Sequence, residues 1–193
     1  MAQEVVTLLL DEIDLAHGLL HERLDGLTDE ELFWEPVEGC WTIRRRRPDD
    51  QYITDYGQVG INGKGEWVSD YAIPDPIPPP FTTIGWRLVH VAYDAWMWDE
   101  HVFGEGRLFW DDYEIPHDAD SAVAWWEEGS KRFRARVAEL RDEELSRLAA
   151  TPWESDRSVR DWIMWLVVET LHHGAEIGCL RDLYRGRDRL SSP

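Results

Sequence analysis

Two imidazoles and a carboxylate carry the chemistry this chain offers. Glu169 and His173 lie in the apolar stretch Trp162 to Tyr184, which reads WIMWLVVETLHHGAEIGCLRDLY. At 100° per residue, Trp162, Leu166, Glu169, His173, Glu176, Ile177, Leu180 and Tyr184 share one wide helical face. An ionised carboxylate is rarely buried without a partner, because desolvating the charge costs several kcal/mol or more. The i, i+4 spacing lets Glu169 and His173 reach one point beside the helix, and His90 from another helix can supply a third ligand across the bundle core. Three protein ligands leave open positions, as at a catalytic metal centre, and imidazole with carboxylate suits Zn, Ni, Fe or Mn. His172, Glu176 and Asp94 stand within a turn of these residues and are candidates for supporting the ligand imidazoles. Spacing alone leaves a second reading open. Glu169 can instead pair with Arg87 or another buried arginine while His173 donates to a backbone carbonyl, with no metal needed.

Helices must position these groups. Val5, Val6, Leu9, Ile13, Leu20 and Leu24 recur at helical spacing before Gly26, which predicts a first helix from Gln3 to Leu24. His17 and His21 stand four apart on it, at the edge of the apolar stripe, and read as boundary residues. Thr28 with Glu31 is a capping-box pattern that predicts a short helical turn. A second helix capped by Thr82 or Thr83 is expected to run to about Phe103 and carries His90 and Asp94. A third, capped by Asp120 or Ser121, has a stripe of Val123, Trp126, Phe133, Val137 and Leu140. Ser158 with Asp161 begins the last helix. The sum is an all-α protein, a four-helix bundle with one long crossover between its first two main helices.

That crossover, residues 40–81, is rich in glycine and proline and reads as a loop insertion. Ile61-Asn62-Gly63 is a hairpin signal for which Trp67-Val68 would supply the return strand. The run Arg44 to Arg47 is either a solvated basic run answered by Asp49 and Asp50 or a small anion site, with Arg44 and Arg45 as its candidate residues.

The 193 residues predict a single domain, and a net charge of −19, from 39 acidic against 20 basic residues, argues against nucleic acid as a partner. No uncharged run reaches membrane-spanning length and Met1 to Leu10 has no signal-peptide pattern, so a cytoplasmic location is expected. Cys40 and Cys179 are far apart and read as free thiols.

Three stretches carry a family likeness: LDGLTDEELFWEPVEGCWTIR (Leu24 to Arg44), TTIGWRLVHVA (Thr82 to Ala92) and ETLHHGAEIGCLRDLY (Glu169 to Tyr184). There the chain resembles the DinB/YfiT-like superfamily of four-helix-bundle metalloenzymes, which includes low-molecular-weight thiol transferases and mycothiol-dependent maleylpyruvate isomerase. The family commonly has one metal-binding histidine on the second helix and an HxxxH pair on the fourth. His90 and His173 match the first and last of these, and Glu169 replaces the first histidine of the pair. The resemblance implies a divalent metal held by His90, Glu169 and His173, and a transferase that uses a low-molecular-weight thiol, mycothiol among the candidates, as nucleophile on a small electrophilic substrate. Two alternatives of other classes are a non-catalytic, metal-stabilised module that binds a ligand or forms a homodimer through its Trp-rich surface, and a metal-dependent hydrolase.

Overall fold

A computed structural model describes residues 4–53, 58–74, 76–149, 151–152 and 156–190. Helix α1 spans Glu4–Leu24 and ends where Gly26 takes the left-handed conformation (φ 63°). The short α2, Asp29–Leu32, begins with the complete capping box of Thr28 and Glu31. Then come α3 (Ile84–Trp98), α4 (Ala119–Ala138) and α5 (Val159–Leu190). The Thr83 hydroxyl accepts from the Trp86 N–H and starts α3 as expected. The last turn expected of α3 is instead π-helical, Asp99–Phe103. The α4 cap is Asp118, whose carboxylate accepts from the Ser121 N–H, so the cap lies two residues before Asp120 and three before Ser121, the two expected caps. Ser158 and Asp161 exchange hydrogen bonds at the start of α5.

Side-chain pairs fix the helix directions. Asp14 meets Arg134 and His21 meets Glu127, so α1 and α4 are antiparallel. Tyr93 packs on Trp125 and Asp99 pairs with Arg132, so α3 and α4 are parallel. Arg87 meets Glu176 and Trp98 meets Trp162, so α3 and α5 are antiparallel. Leu20 lies against Gly174 and Arg23 against Gly178, so α1 and α5 are parallel. Each of α1 and α3 packs on both α4 and α5, which places α1 and α3 at opposite corners of the bundle. Two long connections follow from this arrangement. One crosses from α1 to α3, and the other returns along the bundle between the parallel α3 and α4. The sequence reading had only the first. The core between the helices is built on Leu20, Leu88, Met97, Trp126, Phe133 and Ile177, all essentially buried.

The first connection holds a small antiparallel sheet rather than a bare loop. Strands β1 (Ile43–Arg45), β2 (Gln58–Asn62) and β3 (Trp67–Ile73) stand in the order β1-β3-β2, with Ile61 opposite Asp70 and Arg44 opposite Val68. The expected hairpin is therefore present as β2 and β3, turned through Gly63 at φ 106°. Ile43, Ile61, Val68 and Ala72 are its buried apolar residues. Ile43 seats against Gly85, where an added Cβ would come within 3.0 Å of its side chain, and the Trp86 indole N–H donates to the Asp70 carbonyl at 2.6 Å. Through these contacts the sheet is fixed to the first turns of α3, next to His90. No helix among the described residues is long and apolar enough to cross a membrane.

Candidate metal centre

The two helices that bring the ligands together, α3 and α5, run antiparallel, and His90 faces Glu169 and His173 across their interface. Glu169 Oε2 stands 2.9 Å from His173 Nε2 and 3.6 Å from His90 Nε2. The ligand atoms of all three residues lie within 4.8 Å of one another. The two imidazoles meet at 90° with centroids 4.8 Å apart, so their lone pairs approach from different directions. His90 is held by Trp86 one turn earlier, whose indole stacks on it at 8° and 5.0 Å.

His173 is held from both ends. Its Nδ1 donates to Glu176 Oε2 at 2.6 Å, and Glu176 is in turn paired with Arg87 Nη1 at 3.1 Å. Arg87 Nη1 also lies 3.1 Å from His173 Nδ1. A guanidinium only donates, so with Nδ1–H committed to Glu176 the bond Arg87 makes is the one to the carboxylate. With the proton on Nδ1, the neutral ring turns its Nε2 lone pair toward Glu169. Two acceptors then face each other at 2.9 Å, which is tolerable only with a cation or a second proton between them. Burial works against protonating His173, but its hydrogen bonds to Glu169 and Glu176 outweigh that and hold its pKa above the ordinary imidazole value. For Glu169, burial pushes the pKa up and the hydrogen bonds from His173 and His90 more than reverse it, leaving the carboxyl far below its usual range. Both shifts describe a socket that favours positive charge. The donor set therefore fits a divalent ion, held by His90 Nε2, Glu169 and His173 Nε2.

The neighbours fall where the spacing puts them. Glu176 orients His173. The exposed His172 stacks on His173 at 4.7 Å and comes within 3.5 Å of Glu176 Oε1. Asp94 Oδ2 is 3.9 Å from His90 Nε2, and burial, opposed by His90 and reinforced by the charge of Glu169, pushes its carboxyl up to about 7. The alternative pairing of Glu169 with Arg87 is not the one adopted, since Arg87 goes to Glu176. Arg87 was a candidate partner for the wrong carboxylate.

The arginine run lies elsewhere. Arg44 is clamped between Asp50, at 2.7 Å, and Asp70, at 2.8 Å. Arg45 pairs with Glu66, and Arg46 donates to the carbonyls of Gly63 and Gly65 and to the Tyr52 hydroxyl. These residues brace the sheet and do not line the cavity of the triad. Cys40 is buried, donates to the Val37 carbonyl and has its thiol pKa raised by burial, as suits a packing residue.

The triad opens into a cavity of about 540 Å³ between α3, α5 and β3, walled by Trp86, Trp98, Trp110, Trp162 and Trp165. Tyr71 and Ile73 of β3 and Arg157, just before α5, also reach it. Trp86, four residues before His90, and Trp162 and Trp165, seven and four before Glu169, were available as a helical-spacing signal, whereas nothing local assigns Tyr71 or Ile73 to the same space.

Comparison with known families agrees with this geometry. The DinB superfamily matches residues 12–177, a span that holds all three candidate ligands. The chain belongs to the DinB superfamily. A solved structure of a DinB-like protein from Bacillus cereus superposes with a TM-score of 0.61 at 15% identity, covering 91% of this chain and 90% of that one. At that identity the likeness speaks for the DinB fold alone. No curated protein matches the chain.

Proposed function

We propose that this DinB-superfamily chain is a metal-dependent transferase that activates a low-molecular-weight thiol against a small electrophile. The observation that carries the reading is the convergence of His90, Glu169 and His173 on one point at the wall of an open, Trp-lined cavity. A divalent ion held there by His90, Glu169 and His173 would lower the pKa of a bound thiol and so make thiolate available near neutral pH. The chain's own residues supply the rest. Glu169 and the Glu176-braced His173 hold the donor atoms in place, and His90 is fixed by its stack on Trp86. The tryptophans exclude water and give an apolar substrate body its surface. In the transfer, sulfur gives up its proton to a base and bonds to the electrophilic carbon, while the displaced electron pair leaves with the leaving group or moves onto a conjugated oxygen. The chain needs no nucleophile of its own. Mycothiol is the thiol we put first, on the strength of the family likeness.

The test is elemental analysis of gently purified protein followed by conjugation assays with mycothiol and other small thiols on wild type and His173→Ala. We expect about one equivalent of Zn, Ni, Fe or Mn in the wild type, loss of most of it in the variant, and thiol turnover that falls at least a hundredfold with it. Metal retained with no thiol turned over would favour a binding module or a hydrolase. Wild type purified without metal, and unable to take any up, would sink the proposal.

A further inference from the structure

We infer that a second copy of this chain docks on the outer face of α1 and α5, making a two-fold homodimer. The inference is independent of the metal centre. Each of these helices carries, besides its buried apolar stripe, a second one that is exposed. On α1 it consists of Val5, Leu8, Leu15 and Leu19, which are 43–58% exposed. On α5 it consists of Met164, Val168 and Leu171, which are 39–47% exposed. Positions 5, 8, 12, 15 and 19, and positions 164, 168, 171 and 175, advance by threes and fours, the spacing that keeps side chains turned toward a neighbouring helix. Glu12, half-buried, is the one charge in either series. A helix apolar on two sides sits between neighbours, and the bundle covers only one of the two.

The two exposed stripes form one surface. Asp14 and His21, which reach α4, lie to one side of the core stripe of α1, and the exposed residues lie to the other, beside α5. On α5, Glu169 and Glu176 lie toward α3, and Met164, Val168 and Leu171 on the opposite side, beside α1. Gly174 and Gly178, against Leu20 and Arg23, let the two helices approach closely between the stripes. None of the seven exposed residues lines the cavity of the triad. Seven side chains of about 150–200 Å², each roughly half exposed, offer on the order of 600 Å² of apolar surface. That is as much as the largest patch of a monomer usually reaches, and with a polar rim it meets the roughly 800 Å² that each partner buries in a stable dimer. A two-fold axis sets α1 and α5 against the same pair of helices, and so matches one apolar face to another of the same shape. A lipid surface fits less well. A net charge of −19 is repelled by anionic headgroups, and no position in either series is Lys or Arg.

Sedimentation velocity on the full chain at about 1–100 μM tests this. Wild type is compared with Leu15→Glu, Leu171→Glu and a control, Val59→Glu, at an exposed position on β2. We expect wild type and the control at twice the 22.6 kDa of one chain, and dissociation raised at least a hundredfold in each stripe variant. Both stripe positions are exposed, so circular dichroism should match wild type. Two copies of charge −19 repel each other, so the dimer should tighten as salt is raised. Wild type that stays monomeric throughout the range would overturn the inference, as would a dimer that either stripe variant leaves intact. Monomeric wild type that binds phosphatidylcholine vesicles would assign the face to a lipid surface instead.

Discussion

At the scale of single residues, the centre depends on how His173 is held. Its Nδ1 bond to Glu176 and the pairing of Glu176 with Arg87 turn the Nε2 edge of the imidazole toward Glu169. Replacing Glu176 by Gln keeps a hydrogen-bond acceptor of the same shape and removes the negative charge that makes the ring a stronger donor to metal. Metal affinity should fall about 10- to 100-fold, as it does when such supporting carboxylates are lost. Competition with a chromophoric chelator measures this, and circular dichroism should show the helices unchanged. A wild-type affinity in Glu176→Gln would mean that Glu176 serves only Arg87. The Glu169 and His173 pair was legible because i, i+4 spacing is a local signal. His90 could be offered as a third ligand across the bundle, but a single histidine on an apolar helix says nothing of what faces it, and its family position is what favoured it. Arg87 was seen, but its partner lies on another helix, and sequence spacing cannot rank Glu169 against Glu176 for a guanidinium 82 and 89 residues away by their numbers.

At the scale of elements, the inserted sheet shows what periodicity misses. Its hairpin announced itself through Asn62-Gly63, yet β1 holds one apolar residue followed by arginines and reads as a solvated run. What makes it a strand is Asp70, 26 positions later, which with Asp50 closes around Arg44. The three side chains are 15%, 9% and 18% exposed for Arg44, Asp50 and Asp70, so this is a mostly buried cluster. Arg44→Met leaves two carboxylates without their cation, and breaking such a pair from one side costs about 3–5 kcal/mol. The pH dependence follows from Asp50, whose carboxyl is held down at about 2, chiefly by its hydrogen bonds to Arg44. A depressed folded-state pKa contributes stability that is fully present above the unfolded value of about 3.9 and is lost as pH falls through the folded one. Wild type and Arg44→Met should therefore differ by a constant amount from pH 5 to 8, and the gap should narrow from about pH 4 down to 2. Urea melts at pH 7 and pH 3 check it. A gap that widens on acidification would contradict the assignment. Because Trp86 is anchored on the Asp70 carbonyl and stacks on His90, loosening this sheet should also be felt at the metal ligands.

At the scale of the molecule, the four helices were foreseeable from their apolar stripes, and their arrangement was not. Parallel α3 and α4 need a second long connection, and nothing in residues 104–118 distinguishes a return along the bundle from a tight turn that has been lengthened. The arrangement matters for function because His90 comes from α3 and the other two candidate ligands from α5, helices joined only through α4. A metal at the triad therefore closes a link between elements some eighty residues apart, counting from His90 to His173. It binds the folded chain alone, since the unfolded chain does not hold the three donors together. A ligand present at a hundred times its dissociation constant stabilises the fold by about 2.7 kcal/mol, and a domain of this length gains roughly 2–4 °C in Tm per kcal/mol. Saturating the metal-depleted protein with its preferred ion should thus raise Tm by about 5–10 °C, and His173→Ala should abolish most of that rise. A net charge of −19 invites non-specific cations as well, which screen repulsion between acidic surfaces and stabilise variant and wild type alike. The difference between the two proteins at equal ionic strength is therefore the informative quantity. An equal shift in both would mean that the ion is acting on the acidic surface, and that the three ligands at the α3–α5 interface do not hold it.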